Sequence, residues 1–595
     1  MSPRRSQTGG RVDRMRTIRF TFDGKPYTGH AGDTLASAML ANGVTLFGRS
    51  FKYHRPRGLL TAGVDEPNAL VTVLNGEVRE PNIPATMLEI YDGLTVVSQN
   101  RFPSLAYDVG ALNQFGGKIL GAGFYYKTFM GPAVGPLKGT RFWMFCEYFI
   151  RRAAGLGRAG TAKDPARYER MNAFCDVLVV GSGPAGLMAA KAAADSGARV
   201  ILADLEPKFG GAANWSGETI DGMTSAEWAA TSVRELKARE NVLLLPRTTV
   251  WGYYDGNTLA ALERVSDHKS APGKGEPRHR HWTIRAGSVV LATGAFERPL
   301  VFPSNDRPGV MLASAAERYA NEFGIVPGQK IALFVNNDSA YRAALTVKNA
   351  GAQIVAIIDV RGEVSSAARD IAGVEGEFLP GHAVVATEGG KHVSGVKVQR
   401  FDAASGALSG EARHLDADCV LVSGGWSPAI HLGSQAGLKP EWDEALQAFM
   451  PPRPTQNWIG AGAFNGRFST AEALAEGVAA GLSASGSLGG PLSAPEVEGV
   501  ALDPHPAHVF EVKAKGKAFV DYQHDVTAED VRLAHREGFV SVEHLKRYTT
   551  LGMATDQGKT SNVPGIAIMA EALGKPIPEV GTTRFRPPFA PVSIG

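Results

Sequence analysis

The period of the hydrophobic pattern changes along the chain, and each change marks an expected boundary. From Thr17 to about Val97, apolar and polar residues alternate in short runs, TIRFTFDG and ALVTVLNGEV, which is the period of half-buried strands. Between these runs DTLASAMLANG has helical spacing and opens on Asp33, whose carboxylate could accept from free amides at a helix start. A small α+β unit of ferredoxin-like type is expected over 17–100, behind a disordered tail over 1–16. From about 101 to 170, GAGFYYKTFMGPAVG and RFWMFCEYFIRRAAG mix aromatic, glycine and basic residues with partial helical spacing. That texture predicts a helical connector.

From Cys175 onward, β-branched runs alternate with alanine-rich helical stretches, as parallel strands covered on both faces do. The words CDVLVVGSGPAGLMAAKAAADSGARVILADLE place Gly181, Gly183 and Gly186 between an apolar strand and a helix, with Asp204 closing the next strand. The first glycine permits the tight turn, the second lets a pyrophosphate approach the backbone, and the third lets helix and strand pack closely. The phosphates then meet the helix N-terminus, and Asp204 is positioned to accept from ribose hydroxyls. An acid there disfavours a 2′-phosphate, because two negative groups would meet without compensation. NAD or FAD is expected rather than NADP. Pro184, Ala185, Glu206 and Gly211 flank these positions and complete the expected binding surface.

Further on, SVVLATGAFERP reaches Thr293 and Gly294, DCVLVSGGWSP supplies another strand and turn, and NWIGAGAFNGRFSTAEALAEGVAAG brings Gly462 to a third. This order resembles the flavoprotein disulfide reductase superfamily, which nests one nucleotide domain inside another. The fold class is accordingly α/β, with two nested Rossmann-like dinucleotide-binding domains and an N-terminal ferredoxin-like α+β domain. A first domain over 171–327 and 415–490 is expected to carry the insert 328–414, and a C-terminal docking segment is expected over 491–595.

In the insert the glycine-rich turn has become Asn336-Asn337-Asp338-Ser339. Side chains there would obstruct a pyrophosphate and Asp338 would repel it, so this second site is expected to be degenerate. In the superfamily an Ala-Gly-Asp near the end of the first domain contacts the flavin ribityl chain. Here it reads Ala461-Gly462-Ala463, which favours NAD over FAD.

Composition narrows the alternatives. The 595 residues are 44% hydrophobic and 20% charged, with a formal net charge of +3, so several cores are expected and nucleic acid is not an expected partner. No apolar run is long enough to cross a bilayer, and the Arg-rich start lacks the apolar stretch of a secretory leader, so no membrane association and a cytoplasmic location are expected. The three cysteines, Cys146, Cys175 and Cys419, show no metal-ligand spacing and are expected to be buried thiols. No metal site and no catalytic residue are expected. His431, His524, His535 and His544 read as core or surface histidines, not general bases.

The words SFKYHRPRG, EPNALV, GFYYKTFM, GPAGLMAAKAAADSGARVILAD, SVEHLKRYTTLGMATDQGKTSN and PEVGTTRFRPPFAPV together resemble the alpha subunits of heterotetrameric sarcosine oxidases and of related N-methylglutamate dehydrogenases. That resemblance implies a complex with a beta-type flavoprotein subunit and smaller gamma- and delta-type subunits. It implies that FAD in the beta subunit oxidises a small N-methyl amine to an imine, and that FMN shared between alpha and beta receives the electrons. NAD is then held by Gly181, Gly183, Gly186 and Asp204, without known turnover. The family's folate-binding half is expected on another chain or not at all, since the sequence stops at PVSIG.

With the resemblance included, Lys546, Arg547, Thr549, Thr550, Gly552 and Lys559 are expected as this chain's share of the FMN site, offering cations, hydroxyls and amides to a phosphate. A capped helix end is the competing reading. The cations Arg49, Lys52, His54, Arg55 and Arg57 could steer an anion, but a solvated or subunit-facing loop is the expected role.

The N-terminal unit also resembles ferredoxin-like domains of amino-acid dehydrogenase subunits. Its cluster loop reads RGLLTAGVDEPNALV, with Leu60, Thr61, Glu66 and Ala69 near the positions of ligand cysteines. Without thiolates, an iron-sulfur cluster is excluded there. Two other functions remain as alternatives. A self-sufficient FAD- and NADH-dependent reductase is opposed by Asn336 to Asp338 and by Ala463, and an assembly subunit with a vestigial site is opposed by the intact run from Gly181 to Asp204.

Overall fold

The computed structural model describes residues 4–116, 122, 144–145, 147–148, 151, 155–372, 376–487, 492–499, 502–583 and 585–592. The chain divides into two compact units. One comprises Met1–Asp164, Arg298–Gly424 and Ala507–Thr583; the other comprises Pro165–Glu297, Gly425–Pro506 and Arg584–Gly595.

In the first unit the alternating N-terminal pattern forms a five-stranded sheet in the order Lys25–Ala31, Asp13–Phe22, Thr95–Ser98, Leu70–Asn75, Val78–Pro84. Its inward alternate positions include Ile18, Phe20 and Phe22, all buried. The helix Leu35–Ala41 packs beside it. Its cap is Thr34, not the expected Asp33: Thr34 Oγ1 accepts from the Ser37 amide while Ser37 Oγ accepts from the Thr34 amide. Asp33 has a different task. It is fully buried, accepts from Ser37 Oγ at 2.7 Å and from the His30 amide at 2.8 Å, and pairs with Arg5 at 2.7 Å. Of the tail expected to be disordered over 1–16, the described residues from 4 onward are tied down. Arg5 also bridges to Ile325, and the first strand begins at Asp13, because the tail's cation finds a buried carboxylate.

A second sheet of this unit is wholly parallel, in the order Val310–Leu312, Cys419–Ser423, Lys330–Val335, Gln353–Asp359, Glu377–Pro380. The insert is therefore larger than the expected 328–414, since two of its strands lie outside those bounds. Val310 and Val420 share one buried cluster with Phe334 and Ile358, and that shared core sets the boundary. The segment from 507 adds the hairpin Phe519–Asp521 and Val526–Thr527 and the helices Ala528–Arg536, Val542–Thr549 and Asn562–Leu573.

Of the expected solvated or subunit-facing loop of cations, the solvated reading is corrected. Arg57 is fully buried and bonds to Asp306 and Asp525, Arg55 lies 2.6 Å from Asp306, and Arg49 donates to the Leu105 and His54 carbonyls. These charges are consumed inside the unit. The central part of the expected helical connector over 101–170, including GFYYKTFM and Cys146, lies largely outside the described residues. Within it Val109–Gly116 forms a 3-10 helix, and a strand already begins at Tyr168.

The second unit is built on a seven-stranded sheet. Its order is Val242–Leu245, Val200–Ala203, Tyr168–Val180, His279–Leu291, Thr258–Arg264, Thr248–Tyr254, with Trp458–Gly460 also pairing parallel to His279–Leu291. The helices Pro184–Asp195, Ser225–Lys237 and Thr470–Ala484 contribute to its core, where Leu187, Ala190, Trp228, Leu236, Leu474 and Val478 cluster with Val177, Val179, Leu202 and Val290. The expected docking segment 491–595 is not one piece: Val497–Glu498 pairs with Thr219–Ile220, and Phe589 stacks on His431 at 4.6 Å, both within this second unit.

Candidate nucleotide-binding site

The strand Tyr168–Val180 runs into Gly181, and the helix Pro184–Asp195 starts three residues after that glycine. Gly181 has φ +95°, and a Cβ there would lie 2.3 Å from the Ala292 carbonyl oxygen, so only glycine makes this turn. A Cβ on Gly186 would lie 1.9 Å from the Gly181 carbonyl oxygen, which is why helix and turn can close so tightly. Gly183 differs from both. Nothing lies within 4 Å of its Cβ direction, so the helix N-cap faces open space where phosphate oxygens could reach the amides. Pro184 at the first helical position lacks an amide hydrogen, leaving the Ala185 and Gly186 amides as donors of that first turn.

Asp204 closes the strand Val200–Ala203 and is buried. Its Oδ2 accepts from both the amide and Oγ of Ser182 at 2.6 Å, and its Oδ1 accepts from the Glu206 amide at 2.8 Å. Burial raises the carboxyl above the usual carboxylate range, while the Ser182 hydroxyl and the Glu206 amide pull it back. One oxygen is thus committed to shaping the glycine turn, and Oδ1 retains capacity for a sugar hydroxyl. Ser182, which the sequence reading passed over, is the residue that links acid and turn. Its oxygens also accept from the Gly210 amide, and Gly211 lies against Gly183, where a Cβ would be 2.8 Å from the Gly183 Cα.

The other expected residues of this unit gather around the same turn. Thr293 Oγ1 donates to the Ala429 carbonyl at 2.9 Å, and the Gly294 carbonyl accepts from the Ala429 amide at 2.9 Å. Gly462 packs on Ala185, with a would-be Cβ 2.8 Å from the Ala185 Cβ. Its amide is already used: it donates to Glu476 Oε2 at 2.6 Å, while Asn465 donates to Glu476 Oε1 at 3.0 Å. Gly462 therefore borders the site as packing surface, and the acid in its neighbourhood comes from the helix Thr470–Ala484. The residues present fit a dinucleotide: an open helix N-terminus for the pyrophosphate and an acid at the strand end for a sugar hydroxyl, with the Arg264 guanidinium beside it on the Leu205 carbonyl at 2.9 Å.

The turn of the insert is filled. Asn336 Nδ2 donates to the Ala507 and Val509 carbonyls, and Asn337 bonds to Asn336, Ser423 and Ser339. Asp338 accepts from Arg361 and from Ser365 Oγ, both at 2.7 Å, and Arg361 also binds Asp359 at 2.7 Å. Side chains satisfy one another where a pyrophosphate would need bare amides.

Lys546, Arg547, Thr549, Thr550, Gly552 and Lys559 lie in the first unit. Thr549 Oγ1 donates to the Leu545 carbonyl at 2.8 Å, Thr550 ends the helix Val542–Thr549 in the left-handed region, and the Gly552 amide donates to Asp521 at 2.8 Å. Lys546 is half-buried at the last turn of the same helix, and the exposed Arg547 reaches Glu543 at 4.0 Å. Lys559 instead is buried and donates to the Asp556 carbonyl at 3.0 Å. Burial lowers the Lys559 ammonium and raises the Asp556 carboxyl. The helix end is capped as a helix end should be, and its cations occupy two different environments.

Family models match three stretches: the 2Fe-2S iron-sulfur cluster binding domain over residues 15–101, the pyridine nucleotide-disulphide oxidoreductase over 175–448 and the sarcosine oxidase A3 domain over 515–595. The first of these stretches contains no cysteine in this chain. A sarcosine oxidase subunit alpha of Rhizobium meliloti (strain 1021) is 47% identical over 100% of this chain and 59% of its own length. One from Corynebacterium sp. (strain U-96) is 38% identical over 98% of this chain and 57% of its own length. The chain thus spans less than two thirds of these relatives. Among solved structures, an L-proline dehydrogenase from P. horikoshii shares the fold, with a TM-score of 0.66 at 20% identity, over 100% of this chain and 99% of its own.

Proposed function

We propose, since the chain belongs to the sarcosine oxidase alpha-subunit family over the part of those proteins that it spans, that it is the NAD-holding subunit of a flavin-dependent amine-oxidising complex. The observation that carries this reading is the contrast between its two Rossmann-like turns. At Gly183 the helix N-terminus opens onto free space, whereas at Asn337 and Asp338 side chains close it. One dinucleotide per chain follows, held by Gly181, Gly183, Gly186 and Asp204 with Pro184, Ala185, Glu206, Gly211, Thr293, Gly294 and Gly462 as its surround.

Oxidation of a secondary N-methyl amine, sarcosine or a similar compound, is assigned to FAD on a beta-type partner, with FMN between the two chains and smaller gamma- and delta-type subunits completing the assembly. The residues assigned to the site bind and orient, and no described residue is assigned as general acid or base. Its contribution to the FMN site is assigned to Lys546, Arg547, Thr549, Thr550, Gly552 and Lys559. Support comes from Thr560 Oγ1 and Ser561 Oγ, buried hydroxyls beside Lys559 in sequence that have no hydrogen-bond partner among the described residues. No described helix is long and apolar enough to cross a membrane, and a cytoplasmic complex is proposed.

The test is co-expression with the neighbouring oxidase-type subunits, followed by an assay of sarcosine and other N-methyl amines for formaldehyde release. The complex should release formaldehyde and the isolated chain should not. Turnover by the isolated chain would contradict the assignment.

A further inference from the structure

The loop from Arg57 to Ala69 has lost any cysteine that could hold a metal cluster, yet it is ordered around a single buried point. Glu66 is 1% exposed, and its two carboxylate oxygens collect donors from both arms of the loop. Oε2 accepts from the Leu60 amide at 2.9 Å, the Thr61 amide at 2.8 Å and Thr61 Oγ1 at 3.4 Å. Oε1 accepts from the Asn68 amide at 2.8 Å and the Ala69 amide at 3.2 Å. Leu60, Thr61, Glu66 and Ala69 are the residues near the positions where ligand cysteines are expected, and the Glu66 side chain joins the other three.

Converging backbone amides form a concavity that prefers an anion, and iron-sulfur clusters, themselves anionic, are among the groups such concavities hold. Left empty, these amides would be buried donors without acceptors, each costing about 1–3 kcal/mol. A cation would be repelled and a neutral group would satisfy at most part of the set. We infer that Glu66 is the built-in anion of this loop, a carboxylate that replaces a metal cluster as the group around which the loop's two arms are folded. The inference stands apart from the nucleotide and amine chemistry proposed above, because it concerns only the N-terminal unit.

The surroundings agree with that role. Tyr319 donates from its hydroxyl to the Thr61 carbonyl at 3.1 Å, and Thr86 Oγ1 donates to the Gly63 carbonyl at 2.7 Å, so the loop's carbonyls are met separately and its amides are left to Glu66. Half-buried Asp65, the Lys559 ammonium that acts on it, and the guanidinium of Arg318, which donates to the Ala62 carbonyl at 3.1 Å, are further charges beside the loop. Burial, with Asp65 adding to it, pushes the Glu66 carboxyl up to about 7 while the Thr61, Asn68 and Leu60 amides favour its ionised form, so the anion is the form present as pH rises above that value.

The experiment is residue-resolved hydrogen exchange on the full chain, following the amides of Leu60, Thr61, Asn68 and Ala69. In Glu66→Ala all four should exchange at least tenfold faster than in the parent, and millimolar formate, a carboxylate small enough for the vacated space, should restore protection where chloride does not. Glu66→Gln keeps the volume but has one acceptor oxygen, so one pair of amides should stay protected and the other should not. This second variant decides the matter if the alanine variant fails to fold. Unchanged exchange at all four amides in Glu66→Gln, or a loss in Glu66→Ala that formate does not reverse, would overturn the inference.

Discussion

Asp204 holds Ser182 by two hydrogen bonds of 2.6 Å, one to the amide and one to the hydroxyl, so the acid at the strand end also shapes the glycine turn it was expected only to accompany. Asp204→Ala should therefore affect both folding and binding. It leaves two buried donors of Ser182 without acceptors, at about 1–3 kcal/mol each, and the variant should unfold at lower urea with reduced nucleotide content. Asp204→Asn, which keeps one acceptor oxygen, should recover part of the stability. Equal urea midpoints for Asp204→Ala and the parent would show that the Asp204 contacts are incidental.

The three glycines of the turn should separate by experiment. Gly186→Ala places a methyl 1.9 Å from a backbone oxygen and should destabilise by roughly 1–3 kcal/mol or more. A Cβ at Gly183 meets no protein atom within 4 Å, so Gly183→Val should cost far less stability than Gly186→Ala while retained nucleotide falls sharply. Thermal melts beside nucleotide analysis check both. Full nucleotide retention in Gly183→Val would remove that position from the site.

Arg57 is the buried hub of the first unit, bonded to Asp306 and Asp525. Arg57→Ala takes the ion-pair partner from buried Asp525 and leaves Asp306 with Arg55 alone, and should cost roughly 3–5 kcal/mol, read from chemical denaturation. Replacing all three by apolar residues of similar volume should cost far less.

Burial pushes the thiols of Cys175 and Cys419 up to about 12. At pH 8 the reactive thiolate is then scarce, and neither should react with a disulfide reagent in the native chain. Mass mapping after quench should find both modified only after denaturation. Rapid native labelling of Cys175 would contradict its placement in the strand Tyr168–Val180.

Strong local rules made some of this readable from residues alone. Gly181, Gly183 and Gly186 follow an apolar strand at fixed spacing, and the structure gives each the environment its spacing requires: a positive φ, an open face and a close approach. The crowding of the turn at Asn336 to Ser339 was legible for the same reason, because residues with hydrogen-bonding side chains stand where bare glycines would be needed.

What escaped depends on contacts far apart in sequence. Arg5 meets Asp33, Arg57 meets Asp525, and the strands Val310–Leu312 and Cys419–Ser423 pair into the insert's sheet; no periodicity encodes such partners. A run of five cations looks solvated until the carboxylates that bury it are known. Ser182 and Glu476 were missed because a small polar residue and a helical glutamate carry no motif. Only their positions beside Asp204 and Gly462 reveal what they hold.

The central claim is one NAD per chain at the Gly181 turn and none at the insert. The most direct measurement is to purify the chain alone and with its partners, denature each sample, and identify and quantify the released nucleotides by absorbance and mass. The account predicts close to one NAD per chain from both samples, with flavins released only from the complex. Stoichiometric FAD from the isolated chain, or two nucleotides per chain, would contradict it.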